Sequence, residues 1–553
     1  MFRRNRKATL FALAILAGCR STPQTHSGVD QAVPLFKGMG SHHRAVTTSS
    51  ERAQRYFDQG LTWTFAFNHD EAIRSYKEAA RLDPTCAMAW WGVALCNGPH
   101  INYPMMPPER SKAAWEALQK AIALKEHANE TERALIDTLS KRYFDPPPDD
   151  RKHLDEAYAK AICTVWEQNR TDADIGALCA EAMMDLRPWD LWNENGSPQP
   201  GTADIIRTLD EVRRLNPDHP GALHFYIHAL EASPSPKNAL TAANRLRNLV
   251  PASGHLVHMP SHIDVLVGDY AQASKQNERA IEADRKYRAI SPKQDFYRFY
   301  MAHDHHMLCF ASMMEGRKDA ALRAARQMVA DIPEDYGRTN AALVDAIASA
   351  PLDSLKRFGR WEEILKEPAP PPYWPITTAM WRFNRGLAFA ALGRIQEAER
   401  ERIEFLSARA KVPKDAMTIL NKAHDLLAIA ENVLSAEIAF HKGETDLAVV
   451  ELKKAIKIED KLRYMEPPEW IQPVRHTLGA FLVHDGRYEE AEAVYREDLA
   501  NWPENGWSLF GLAKSLHGQG KTDEAKQVDQ RFRKAWARAD IKLGSSCLCV
   551  AAR

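Results

Sequence analysis

The 553-residue sequence has no excess of either charge: Lys+Arg and Asp+Glu both number 73. A balanced chain lacks the basic footprint of a nucleic-acid binder, so nucleic acid is excluded as a partner on bulk charge. Beyond Ala17 no run is apolar enough to span a bilayer, which excludes a polytopic membrane protein. The eight cysteines include no Cys-x-x-Cys pair, so neither a zinc ribbon nor a thioredoxin-like motif is present. Cys86, Cys96, Cys163, Cys179 and Cys309 sit in helical, apolar contexts and are expected to pack as small hydrophobes. With Cys547 and Cys549 they number seven, an odd count that argues against a complete disulfide framework. Cys547-Leu548-Cys549 reads as part of a frayed tail (542–553), with a metal ligand pair or a bridge as the alternatives. Nothing reads as a substantial strand.

What the sequence does have begins at its N-terminus. Arg3, Arg4, Arg6 and Lys7 precede an apolar stretch, Ala8 to Ala17, too short for a permanent membrane span. It ends in Leu16-Ala17-Gly18-Cys19, which resembles the lipobox of bacterial lipoproteins. The resemblance implies a signal peptide over 1–18, cleavage before Cys19 and lipidation of that cysteine. The protein would then be exported to the cell envelope and held at a membrane by lipid. Residues 19–33, rich in Ser, Thr, Gln and Gly, read as a flexible tether.

A repeat follows. Ala53 to Pro84 reads AQRYFDQGLTWTFAFNHDEAIRSYKEAARLDP, with Tyr56, Gly60 and Trp63 on a first helix, Ala72, Tyr76 and Ala79 on a second, and Pro84 closing. This resembles a tetratricopeptide repeat, a helix–turn–helix unit of about 34 residues. The same phase returns at Ala87, Pro220, Gly254 and Ala302, and later around Gly386, Gly443, Gly479 and Gly520. The resemblance implies an all-α fold, a right-handed superhelix of about ten to twelve helix pairs. The proline-rich run Glu367 to Pro372 divides the chain into an N-terminal lobe, 34–366, and a C-terminal lobe, 375–541.

Nine of the 21 histidines lie between His219 and His306. In tetratricopeptide arrays the first helix of each unit lines the concave groove, at the second, fifth and ninth places. Those places hold His224 and His228 in the unit starting at Pro220. They hold His255, His258 and His262 in the next, and His303 and His306 in the unit starting at Ala302. Glu231 continues the first stripe. Pairs at i,i+3 or i,i+4 on one helix can chelate a metal without backbone strain. Neutral imidazole is the common ligand for zinc, copper and iron, so the seven histidines are candidate ligands for one of these. Asp304 and His305 are placed to act behind them. Pro260, inside His258-Met259-Pro260-Ser261-His262, removes an N–H and should kink the helix. His69, His100 and Asn102, with His42, His43 and Asn68, form a second polar set able to contact a ligand. Trp470, Arg475, His476 and Trp507 form a third, of a kind more usual in packing.

Two functional classes follow. One is a lipid-anchored scaffold binding a peptide, protein or small ligand in a His-lined groove. The other is a metal-binding protein or metalloenzyme using those histidines. The stripe matches no catalytic signature, so no catalytic residue is assigned. The chain is also similar to a group of bacterial tetratricopeptide proteins carrying His-Met-Pro-Ser-His and Tyr-Ile-His-Ala segments, here His258–His262 and Tyr226–Ala229. That resemblance supplies fold and not function.

Overall fold

Side-chain caps start the helices. The Ser50 side chain accepts the Ala53 N–H at the head of α1 (Glu51–Phe65), and Asn68 accepts the Glu71 N–H at the head of α2 (His69–Leu82). Together with α3 (Ala87–Asn97) these form the first repeat and the start of the next. The computed structural model describes residues 33–292, 295–345 and 347–550. The expected signal peptide, Cys19 and nearly all of the expected tether lie outside the described residues. Every named element among those residues is helical, and no strand is present beyond isolated bridges.

The repeat signature has a simple packing basis. A Cβ added at Gly60 would lie 2.8 Å from the Tyr76 ring, and one at Gly92 would lie 2.6 Å from it. Tyr76 is thus clasped between α1 and α3 by two residues that have no side chain. The motif returns near the C-terminus, where Tyr495 lies against Gly479 and Gly511 at 2.3 and 2.1 Å from the corresponding Cβ positions. Gly511→Ala should therefore lower stability by about 1–3 kcal/mol, because the clash exceeds the gain in helix propensity. Urea denaturation should show the midpoint falling with an unchanged slope.

The chain forms two compact units, Asp30–Asp304 and His305–Arg553. The first contains α4 (Pro220–Glu231), α5 (Gly254–His258), α6 (Pro260–Leu266) and α7 (Tyr270–Ile290). The division falls within α8 (Tyr297–Met314). As expected, Pro260 interrupts the histidine-bearing helix: α5 ends at His258 and α6 begins at Pro260. Met259 between them keeps helical dihedrals, φ −48° and ψ −39°, and the break lies where the proline lacks an N–H.

The second unit contains α9 (Ala423–His441), α10 (Val474–His484), α11 (Tyr488–Asn501) and α12 (Gly506–Gly518). Its C-terminal segment is not frayed. Ser546 Oγ donates to the His476 carbonyl at 2.9 Å and meets the Tyr495 hydroxyl at 2.5 Å. Lys514 Nζ donates to the Gly544 carbonyl at 2.9 Å, and Cys547, Cys549 and Val550 are buried. Local composition suggested fraying, and contacts with distant helices overrode it. The cysteines also depart from expectation: Cys163 is bonded to Cys179 and Cys547 to Cys549, while Cys86, Cys96 and Cys309 remain buried thiols. No helix among the described residues is long and apolar enough to cross a membrane.

Candidate metal centre

Helical spacing puts His224 and His228 one turn apart on α4, and a turn apart again come His258 on α5 and His262 on α6. The structure closes each pair. His224 Nε2 and His228 Nε2 are 3.0 Å apart, and His258 Nε2 and His262 Nε2 are 2.7 Å apart. His255 joins the first pair and His303 the second, with the ligating atoms of each triad within 4.8 Å of one another. His303 Nε2 is 3.4 Å from His262 Nε2.

The opposite side of the four paired rings determines their protonation. His224 Nδ1 lies 2.7 Å from the Phe65 carbonyl, and His258 Nδ1 lies 2.6 Å from Asn277 Oδ1. Asn277 Nδ2 donates to the Ala273 carbonyl, which fixes the amide with its oxygen towards His258. His228 Nδ1 and His262 Nδ1 face the two oxygens of Glu231, at 2.8 and 2.5 Å. All four partners are acceptors, so each Nδ1 carries the hydrogen and donates it. Nε2 of His224 and of His258 is left with a bare lone pair, which faces Nε2 of His228 and of His262. Two bare nitrogens in that position would repel, and a proton or a metal ion between them removes the repulsion. Nitrogens sharing one tetrahedral ion at bonds of 2.0–2.1 Å are separated by about 3.3 Å; the His262–His303 approach of 3.4 Å matches this, and the 3.0 and 2.7 Å pairs would open by a small ring rotation to reach it.

The electrostatics agree. Burial pushes the pKa values of His224, His255 and His258 well below the usual imidazole range, with the neighbouring rings adding to the effect, so these rings are neutral. Burial works against ionisation of Glu231, but the His228 and His262 rings outweigh it and hold its pKa below the usual carboxylate value. One carboxylate therefore orients a ring of each triad, the arrangement by which second-tier groups fix a metal-ligating imidazole. Asp304 Oδ1 stands 3.3 Å behind His258 Nδ1. His255 is 2% accessible, yet neither ring nitrogen has a hydrogen-bond partner. Such a buried, unsatisfied ring costs about 1–3 kcal/mol unless something binds it.

The remaining candidates separate clearly. His305 and His306 fall in the second unit, where burial lowers the His306 pKa to about 4. His69 and His100 lie beside the first triad and line a small cleft with Phe67, Tyr103, Arg110 and Phe296. Burial, with Arg110 and Arg142 adding, brings His69 down to about 3. Phe67 stands between cleft and triad: its ring stacks on His100 at 4.4 Å and lies 4.6 Å from His224. It does so from φ +54°, a strained backbone for an aromatic residue. Asn102 is on the loop carrying His100 and reaches Tyr300, whose ring covers His255 at 4.1 Å.

A third grouping, His42, Asp174 and His219, is structural. His219 Nδ1 accepts the Ala222 N–H as the cap of α4, so its Nε2 must donate to Asp174 and no lone pair remains for a metal. The third polar set is packing as well: the Arg357 guanidinium lies 3.4 Å over the Trp507 ring and meets His476. Sequence reading missed Asn277 and the Phe65 carbonyl. Neither carries a local signal, since one sits on the facing helix and the other is backbone.

Comparison with known proteins gives fold information only. No curated protein matches the chain. Among solved structures, the human IFIT1 dimer with m7Gppp-AAAA is 15% identical, with 89% of this chain and 91% of that one covered at a TM-score of 0.32. Yeast Tom70 is 12% identical, covering 88% and 91% at a TM-score of 0.27. The Cut9–Hcn1 hetero-tetramer of APC/C is 14% identical, covering 88% and 74% at 0.29. Residues 482–540 match the family model described as tetratricopeptide repeat. That match covers Tyr495 and Gly511, and the same glycine–tyrosine–glycine clasp recurs around Tyr76, so the chain, all-α among the described residues, carries a tetratricopeptide repeat at 482–540 and repeats its packing at 60–92.

Proposed function

We propose that this protein binds two transition-metal ions side by side, one in the triad His224, His228 and His255, the other in the triad His258, His262 and His303. The observation that carries the reading is the pair of short Nε2–Nε2 approaches between rings whose Nδ1 hydrogens are already committed. All-imidazole triads favour zinc, copper or iron over calcium and magnesium, which take oxygen ligands. Three nitrogens leave a position open for water, oxygen or a substrate. The full chain exposed to zinc, copper or iron should retain close to two equivalents of one of them by elemental analysis. A protein that stays metal-free after all three sinks the reading.

Glu231 should tie the two sites together. Glu231→Gln keeps the shape but replaces one accepting oxygen with a donor. Metal affinity should fall about 10- to 100-fold at both triads, as read by competition with a chelator. Unchanged affinity would mean that the carboxylate does not orient the ligands.

Tetratricopeptide arrays commonly bind proteins or peptides, and that role remains open to other faces of this one. The histidine stripe itself is not offered to a peptide, because the five rings from His224 to His262 are 0–6% exposed. Lipid anchoring through Cys19 and export are part of the same proposal. The Cys163–Cys179 bridge supports an oxidising compartment. Cys19→Ser should move the protein from the membrane to the soluble fraction or block its maturation; unchanged fractionation at the same mature mass would remove the anchor.

A further inference from the structure

The docked C-terminal segment carries Cys547 and Cys549 onto α9, beside Glu437. One oxygen of Glu437 and the two sulfur atoms lie within 4.8 Å of one another. Glu437 is 3% exposed, and its Oε2 has no hydrogen-bond partner. One turn further along α9, His441 Nε2 faces that oxygen from 3.7 Å and is itself without a hydrogen-bond partner. The His441 ring also bonds the Cys549 backbone, which ties its position to the docked segment. A buried carboxylate thus has two sulfurs in reach and an imidazole nitrogen 3.7 Å from its unpartnered oxygen. A merely structural pair would hydrogen-bond.

We propose that Cys547 and Cys549, when reduced, complete a second kind of metal site with Glu437 and His441, one that takes a single zinc ion. Two sulfurs, one nitrogen and one oxygen are a ligand set that suits zinc and excludes hard cations. The disulfide seen here is the oxidised form of the site. A phosphine or dithiol reductant supplies two electrons, the S–S bond breaks, and two thiols result. Zinc then displaces two protons as two Zn–S bonds form. The bound ion would pin the C-terminal segment to α9 in place of the disulfide.

The test uses the full chain with cobalt(II) as a probe that reports sulfur ligation by near-ultraviolet charge-transfer absorption. After reduction and removal of the reductant without oxygen, the protein should develop that absorption with one equivalent of cobalt, and zinc should abolish it. The oxidised protein should not show it. Cys547→Ser with Cys549→Ser should lose the absorption, and Glu437→Gln should keep it at about tenfold or more weaker affinity. Reduced protein without the absorption, or a serine variant that binds as many equivalents as the wild type, overturns the proposal. If the serine variant fails to fold, Glu437→Gln decides: unchanged affinity overturns the site. Imidazole-bound cobalt lacks the sulfur band. His258→Ala with His262→Ala should therefore leave the band intact, so failure here and failure of the histidine centre are separable.

Discussion

His258→Ala combined with His262→Ala should halve the metal content, from two equivalents to one, rather than abolish it. The two substitutions remove two of the three ligands from one triad and leave His224, His228 and His255 in place. The remaining ion should bind more weakly, because Glu231 loses the His262 partner that helps to hold it. Metal that binds only the folded protein stabilises it, by about 4 kcal/mol at a thousandfold excess over the dissociation constant. The variant should therefore gain less thermal stability on metal addition than the wild type. Both rings are buried, so the metal-free variant will itself be less stable than metal-free wild type, through lost packing. The metal-induced increment, measured within each protein, separates the two effects. A variant that still holds two equivalents would show that the short Nε2 approach between these rings is not a binding site.

A second large effect is expected away from the metal centre. Arg142 is 1% exposed, with its guanidinium 2.5 Å from Asp185 Oδ2, 3.6 Å from Asp155 and 4.6 Å over the Tyr158 ring. Burial raises the pKa of Glu181 to about 7 and that of Asp185 well above its usual value, and the two carboxyls interact directly. Arg142 balances the negative charge that this cluster holds. Arg142→Met should cost about 3–5 kcal/mol by leaving that charge unpaired. The sign of the pH dependence follows. A folded-state carboxyl pKa raised above its unfolded value means that the folded protein holds the extra proton. Stability from such a group is present below the unfolded value and is lost as pH rises through the folded one. For wild-type Glu181 the window runs from its ordinary 4.5 to about 7. Without Arg142 the carboxyls should rise further, so the penalty should be small near pH 5 and full near pH 8. A penalty independent of pH, measured by urea denaturation at both values, would place its origin in packing instead.

The sequence by itself determined the helical class, the repeat phase and the histidine stripe, because these depend on local periodicity. His224 and His228 are related by helical spacing alone, and Gly60 and Tyr76 by the fixed length of one helix–turn–helix unit. It also located the break at Pro260, since a missing N–H acts within one turn. Tertiary structure decided the rest. Which nitrogen of His224 is bare depends on the Phe65 carbonyl, 159 residues away. For His262 it depends on Glu231, 31 residues away on another helix. Burial of the rings, which the repeat pattern would have left along an open groove, comes from Phe67 and Tyr300 covering them. The placing of His303 with the second triad and of His306 in the other unit could not be read from their common stripe. A stripe gives direction around a helix axis and says nothing about what the neighbouring helix presents. The C-terminal cysteines make the same point: their sequence context is that of a loose end, and only contacts with α9 and α10 hold them in place.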